Sequence, residues 1–326
     1  MFSVTALAAA VTVAALIWTG AFRAEPTPEP LTVGTGPEGG VYFELGQTLQ
    51  HLTQDSDVPL NAHESAASEV NLNSLAAGEI DVAFSTSDVA RLAVSGSPPF
   101  DEPLPVRALG RLYDQPTHLV VPANSDIEEL PDLAGRTVSV GAAGSGTRTQ
   151  AHRLLRVAGL RGEGSLQKRS MDLMDSAEAL ESNEIDAFFW SGGLPSRAVT
   201  ELAQRNPIRL VDLAEWTGPL GELGEGPYEE VPLPVDTYPG VPGVRSVGVS
   251  SLLMVRADMP HETAESLTAE VFASRSHLVE GHPVIRQLNE RSAIFTQPVE
   301  LHSGALDYYR SAKPAHRPVE PSRPAE

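Results

Sequence analysis

Two stretches of this 326-residue chain carry the same punctuation. Leu31-Thr32-Val33 runs into Gly34-Thr35-Gly36-Pro37-Glu38-Gly39-Gly40, after which Val41, Leu45, Thr48, Leu49 and Leu52 recur at helical spacing. Thr137-Val138-Ser139-Val140 runs into Gly141-Ala142-Ala143-Gly144-Ser145-Gly146-Thr147. Ala151, Leu154, Leu155 and Ala158 then mark a helix face, and Gly159 stands where a helix C-cap belongs. Each unit closes on a similar strand, Glu79-Ile80-Asp81-Val82-Ala83-Phe84-Ser85 in the first and Glu184-Ile185-Asp186-Ala187-Phe188-Phe189-Trp190-Ser191 in the second. The glycine turns are 107 residues apart and the Glu-Ile-Asp segments 105. Two near-equal offsets predict two similar α/β lobes rather than a short-period array.

The strand His118-Leu119-Val120-Val121-Pro122 lies between the units and is expected to cross from one lobe to the other. Val247-Gly248-Val249-Ser250-Ser251-Leu252-Leu253-Met254-Val255 is expected to carry the chain back, and residues 263–278 read as one helix. The Pro- and Gly-rich stretch 218–243 reads as surface loop. These readings divide the chain into a signal peptide or N-terminal anchor (1–24), a first lobe (25–117), a second lobe (118–245) and a return to the first (246–310). A disordered tail (311–326), dense in Pro and charge, completes it.

Residues 2–22 hold no charge and are rich in Ala, Val, Leu and Ile, followed by Arg23 and a polar Pro-rich run. Such a segment is a secretory signal or an uncleaved anchor, so the body is expected outside the cytoplasm, periplasmic in a double-membraned cell. The chain has no cysteine, which excludes disulfide scaffolds, thiol catalysis and cysteine metal sites. Its 43 acidic residues against 23 Lys and Arg argue against nucleic acid and against docking on anionic lipid. Mutual repulsion at this charge favours a monomer.

Both glycine turns open onto helix N-termini, whose unpaired N–H groups and positive dipole end receive anions or carbonyl groups. Glycine at such a turn lets a ligand approach the backbone. Ser145 and Thr147 stand where they can cap the second helix or touch a ligand. Ser65-Ala66-Ala67-Ser68 is a further helix start, as a ligand contact or as a plain cap. Tyr42, Trp190 and Tyr238 are candidates to line a cleft, with core packing as the alternative for each. Read literally, Gly34 to Gly39 matches the dinucleotide fingerprint G-x-G-x-x-G, which would make the chain an NAD-dependent oxidoreductase. Pro37 within the turn and the lack of a well-placed acidic residue about 20 positions on count against it. No serine sits in a G-x-S-x-G elbow, no G-K-[ST] phosphate loop occurs, and His277 and His282 are wrongly spaced for a zinc helix. Neither cofactor nor metal is expected, and binding rather than catalysis is the reading.

Taken in order, these segments resemble the TAXI family of solute-binding receptors, the extracytoplasmic partners of tripartite ATP-independent periplasmic (TRAP) transporters. The resemblance rests on Gly34-Thr35-Gly36 with Gly39-Gly40-Val41-Tyr42, on Ser68 with Asn71-Leu72, and on Leu75-Ala76-Ala77-Gly78-Glu79. It continues through Ser87-Asp88-Val89-Ala90, Asp132-Leu133-Ala134-Gly135, Ser139-Val140-Gly141 and Gly144-Ser145-Gly146-Thr147. Thr237-Tyr238-Pro239-Gly240 and the ending Leu301-His302, Gly304-Ala305-Leu306 and Tyr308-Tyr309 complete it. It implies a two-lobed, periplasmic-binding-protein-like (type II) α/β fold that closes on a small carboxylate or amino acid of the glutamate or glutamine kind and delivers it to TRAP membrane subunits. An exported sensor without transport is the alternative.

From the first lobe the resemblance implies ligand contacts by Thr35, Gly36, Gly39, Gly40, Tyr42, Ser65, Ser68, Thr86 and Ser87. From the second it implies Ser145, Gly146, Thr147, Arg148, Trp190 and Tyr238. Pro37-Glu38, Ala66-Ala67 and Thr86 depart from the family's usual residues. Carboxylates at Glu38 and Glu64 near the cleft would disfavour a dianionic solute and suit one bearing an amine, and Arg148 is the one cation within the expected loops. Gly146→Val is expected to weaken solute binding without unfolding the protein, because a side chain there blocks backbone approach. Titration of the folded variant checks it; unchanged affinity would remove the second turn from the site.

Overall fold

The computed structural model describes residues 28–312 apart from positions 163 and 225. The apolar N-terminal segment and nearly all of the Pro-rich tail lie outside the described residues. Among the described residues no helix is long and apolar enough to cross a membrane.

The first lobe begins with β1 (Leu31–Gly34), α1 (Val41–Thr53), β2 (Leu60–His63), α2 (Ser68–Ala77), β3 (Val82–Thr86) and α3 (Ser87–Ser95). The strand β4 (Val106–Pro122) then runs into the second lobe. There β5 (Thr137–Ser139), α4 (Gly146–Val157), β6 (Gln167–Arg169), α5 (Leu173–Glu181), β7 (Ala187–Ser191), α6 (Arg197–Arg205) and β8 (Ile208–Leu210) repeat the pattern. After α7 (Thr217–Glu222) and β9 (Glu229–Leu233), β10 (Val244–Arg256) returns to the first lobe. The helices α8 (His261–Ala273), α9 (Arg275–Gly281) and α10 (Ser303–Ala312) finish the described chain.

Parallel pairing orders the first three strands β2-β1-β3 and the matching strands of the second lobe β6-β5-β7. The two triplets meet through β4 and β10. β10 is antiparallel to both β3 and β4, while the end of β4 pairs with β7 and β8. One curled sheet therefore passes through both lobes, and the chain crosses to the second lobe along β4 and returns along β10. Side chains alternate across it as strand geometry requires. Leu119 and Phe189 pack on one face with Val138 and Leu154, whereas Val120 and Phe188 pack on the other with Val199 and Tyr238.

The repeated Glu-Ile-Asp segment has the same task twice. Asp81 Oδ2 accepts the Thr32 N–H at 2.8 Å, and the Thr32 carbonyl accepts the Asp81 N–H at 2.9 Å. Asp186 treats Thr137 alike, at 2.7 and 2.8 Å. Each carboxylate thus pins the entry of a lobe's first strand, 49 residues away in sequence. The matching helices also end alike, on the left-handed residues Gly78 (φ 75°) and Asn183 (φ 60°).

Several sequence expectations change. The crossing strand begins at Val106, twelve residues before His118. The helix expected over 263–278 breaks at Ser274 into α8 and α9. The stretch 218–243 is not all loop, since it holds most of α7 and all of β9, which pairs Leu233 with Val244. The first two residues of the tail expected over 311–326 are helical, because α10 runs through Ala312, and the rest of it lies outside the described residues.

Asn71 ties these elements together below the first glycine turn. Its Nδ2 lies 3.0, 2.7 and 2.9 Å from the carbonyl oxygens of Gly34, Thr35 and Phe84, so one buried amide serves both the end of β1 and the middle of β3. Removing it leaves buried acceptors unpaired. Asn71→Ala is expected to destabilise the protein by roughly 2–4 kcal/mol in urea unfolding. A loss below about 1 kcal/mol would show that other groups satisfy these carbonyls.

Candidate functional site

The two glycine turns face each other across a cleft holding about 560 Å³ of empty space, its open mouth included. Gly36, Pro37, Gly40 and Tyr42 approach from the first turn, with Ala66, Ala67, Ser68 and Thr86 beside them. Gly141, Ser145, Gly146 and Thr147 approach from the second, with Trp190 beside them. This geometry follows from chain direction. In each parallel unit the helix starts where the strand ends, so helix N-termini gather at one rim of the sheet.

The lobes touch around this space. The Gly144 carbonyl accepts the N–H groups of Glu69 and Val70 at 3.0 and 3.3 Å, capping α2 from the opposite lobe. Gly144 has φ +75°, and a Cβ there would meet Val70 Cγ2 at 2.7 Å, so glycine serves both the turn and the approach. A Cβ on Gly146 would meet Ser68 Oγ and Thr86 Oγ1 at 2.8 and 2.9 Å, both on the first lobe. On one flank Arg153 donates to Asp88 at 2.9 Å with both side chains buried, and Tyr228 bonds both. On the other, Arg197 pairs with Glu38 and Glu44 at 3.0 Å each and with Glu201 at 3.1 Å. In both cross-lobe pairings the first lobe supplies the carboxylates and the second the guanidinium. The Arg197 cluster is largely in solvent and is worth little. The Asp88–Arg153 pair is desolvated, so losing one partner costs far more than the pair contributes.

The expected site residues divide. Gly36, Gly40, Tyr42, Ser68, Thr86, Ser145, Gly146, Thr147 and Trp190 line the cleft. The others do not. Thr35 Oγ1 donates to the His63 carbonyl at 2.9 Å, and Ser65 Oγ accepts the Ala67 N–H at 2.9 Å, so both brace the first turn from behind. Gly39 accepts the Ala198 N–H at 3.3 Å at the mouth. Ser87 is buried at the start of α3. Arg148 turns to Ser170 Oγ, at 2.9 Å. Tyr238 lies in the second lobe's core, its hydroxyl 2.8 Å from His118 Nε2. Nor are Glu38 and Glu64 cleft carboxylates: Glu38 is drawn outward by Arg197, and Glu64 accepts the Glu38 N–H at 3.2 Å.

Sequence reasoning missed Tyr113 and Gln115 on β4, Asp172 and Leu173 at the start of α5, Ser191 at the end of β7, and Gly192 and Gly193 after it. The internal repeat contains part of the signal, since an offset of 105 carries Thr86 onto Ser191 and Ser68 onto Leu173. Tyr113 and Gln115 lie on the crossing strand, outside the repeated units. Burial pushes the Tyr42 and Tyr113 hydroxyls well above the usual phenol range, so both stay neutral hydrogen-bonding groups. Among the described residues no cluster of His, Asp or Glu is arranged to hold a metal ion.

A model of the NMT1-like family matches residues 33–312. The chain belongs to that family. Solved structures share the two-lobed α/β fold of the NMT1-like chain. A protein from Bordetella bronchiseptica RB50 matches at TM-score 0.52 and 16% identity, over 86% of this chain and 89% of its own. An ancestral arginine-binding protein bound to arginine matches at 0.50 and 15%, over 78% and 99%. The periplasmic aliphatic sulphonate binding protein of Escherichia coli matches at 0.45 and 18%, over 88% and 84%. At such identities the likeness shows the fold alone.

The displacement of Tyr238 into the core has its own consequence. His118 sits between Tyr238 and the Trp190 carbonyl, and burial lowers its pKa to about 4 from the ordinary 6.5. The unfolded chain therefore binds a proton that the folded one refuses between those values. Stability from this group is complete above about pH 6.5 and falls by roughly 3 kcal/mol as the pH drops to about 4. Urea unfolding at pH 4.5 and 7.5 should show a smaller pH dependence in His118→Gln than in the parent. Equal dependence would place the acid sensitivity elsewhere.

Proposed function

We propose that this chain is an extracytoplasmic solute-binding receptor. It captures a small carboxylate or amino acid by lobe closure, and as a TAXI-type receptor it hands the solute to the membrane subunits of a TRAP transporter. The lobes would divide at 117/118 and 245/246, along the two strands that run through both, and an N-terminal signal or anchor would bring the monomer to the outer face of the membrane.

The observation that carries this reading is the cleft, lined from both sides by glycine turns and helix starts and flanked by paired cross-lobe contacts. Clefts between lobes are where small ligands bind, and closure supplies the burial. The neighbouring folds support it, the arginine-bound ancestral protein among them. The first turn is less suited to a dinucleotide. Its Glu38 N–H is already given to Glu64 and its Gly40 N–H to the Pro37 carbonyl, and Pro37 has none to offer.

A thermal-shift screen over amino acids, mono- and dicarboxylates and NAD tests the reading. A ligand at 100 times its dissociation constant should stabilise by about 2.7 kcal/mol. Stabilisation by an amino or organic acid, with none by NAD, is the expected outcome. Saturable NAD binding, or no response to any small organic solute, would sink the receptor assignment.

A further inference from the structure

We infer that the cleft selects a zwitterionic amino acid with an uncharged, apolar side chain over a dicarboxylate. This rests on the receptor reading above and concerns the same cleft.

The cleft's charge is the first ground. None of the residues lining it is Lys, Arg or His. The cations nearby are engaged by the protein's own groups: Arg153 by Asp88, Arg197 by three glutamates, and Arg148 by Ser170. The one charged side chain in the lining is the Asp172 carboxylate, whose Oδ1 also caps α5 by accepting the Asp175 N–H at 2.9 Å. A wall with one negative and no positive charge suits a ligand that carries an ammonium beside its carboxylate. It penalises a second carboxylate, which would lose its water and find no cation.

Unfilled hydrogen-bonding capacity is the second ground. No side chain caps α1, so the first N–H groups of that helix, at the cleft-lining residues Val41 and Tyr42, are left without a side-chain partner. Gly146 and Thr147 start α4 on the opposite side. Two helix starts can share one carboxylate. Independently, Ser191 Oγ is buried in the lining with no hydrogen-bond partner. Gln115 in the same lining interacts with the buried Tyr42 and Tyr113 hydroxyls, which can donate to its carbonyl oxygen. An ammonium answers Asp172, and a carboxylate answers Ser191 and the helix starts.

The third ground is the rest of the wall. Met171, Leu173, Phe189 and Trp190 offer carbon surface, and the Trp190 indole N–H is committed to Ser196 Oγ at 2.8 Å. The side chain of the bound amino acid thus meets apolar surface.

Calorimetric titration of the full chain with L-leucine, L-phenylalanine, L-glutamate and 2-oxoglutarate tests the selectivity. Leucine or phenylalanine should bind at least about tenfold more tightly than either dicarboxylate, equivalent to about 1.4 kcal/mol. Glutamate or 2-oxoglutarate binding equally well or better overturns the inference and leaves the receptor reading intact. Saturation by none of the four also overturns it, and the receptor reading is then decided by the broader screen. Asp172→Asn keeps a residue able to cap α5. It should weaken leucine binding several-fold while strengthening that of 4-methylpentanoate, which has the carboxylate and the apolar body without the amine. An unchanged ratio of the two affinities would remove Asp172 from recognition of the ammonium and overturn the inference on that ground.

Discussion

Every helix that begins at the cleft brings N–H groups that its own backbone cannot satisfy, and the site is organised by how each set is answered. The Gly144 carbonyl answers α2 from the other lobe, Ser145 Oγ answers α4 and Asp172 Oδ1 answers α5. At α1 no side chain answers. The closed arrangement depends on the first of these, because a lobe-two carbonyl at the start of a lobe-one helix exists only when the lobes meet. It also requires glycine at 144, where the turn needs φ +75° and Val70 leaves no room for a Cβ.

Charge follows the same division of labour. The chain has nearly twice as many acidic as basic residues, and Arg153 and Arg197 on the flanks of the cleft are taken by carboxylates across the lobe boundary. Where the lobes meet, these pairs occupy positive charge that would otherwise be free. What is left for the ligand is a row of backbone donors, neutral hydroxyl and amide groups, one carboxylate and a carbon wall. Tyr42 and Tyr113 belong to that neutral set because burial holds their protons on.

Much of the architecture was legible in the chain. The glycine turns, the helices behind them and the Glu-Ile-Asp strands fall where their punctuation puts them, and the repeated aspartate proves to be one local device used twice. Nine of the expected site residues line the cleft because they sit on strand ends, turns or helix starts whose place is set by strand direction. Local pattern failed where a residue's partner is distant. Thr35 and Ser65 look like ligand groups yet brace backbone, and Tyr238 looks like a cleft aromatic yet serves a buried histidine 120 positions away. Tyr113 and Gln115 went unseen because nothing in a strand's own alternation says that its middle crosses beneath a cleft.

The sequence by itself determined the two-lobed α/β plan, because hydrophobic period, glycine position and internal repeat are local properties of the chain. It also determined the excess of negative charge and the absence of thiol chemistry. The tertiary structure alone decided which charges remain for a ligand. Arg153 is separated from Asp88 by 65 residues, and Arg197 from Glu38 by 159, so no spacing rule pairs them. Only the meeting of the lobes turns those arginines into closing contacts and leaves the cleft between them without a cation.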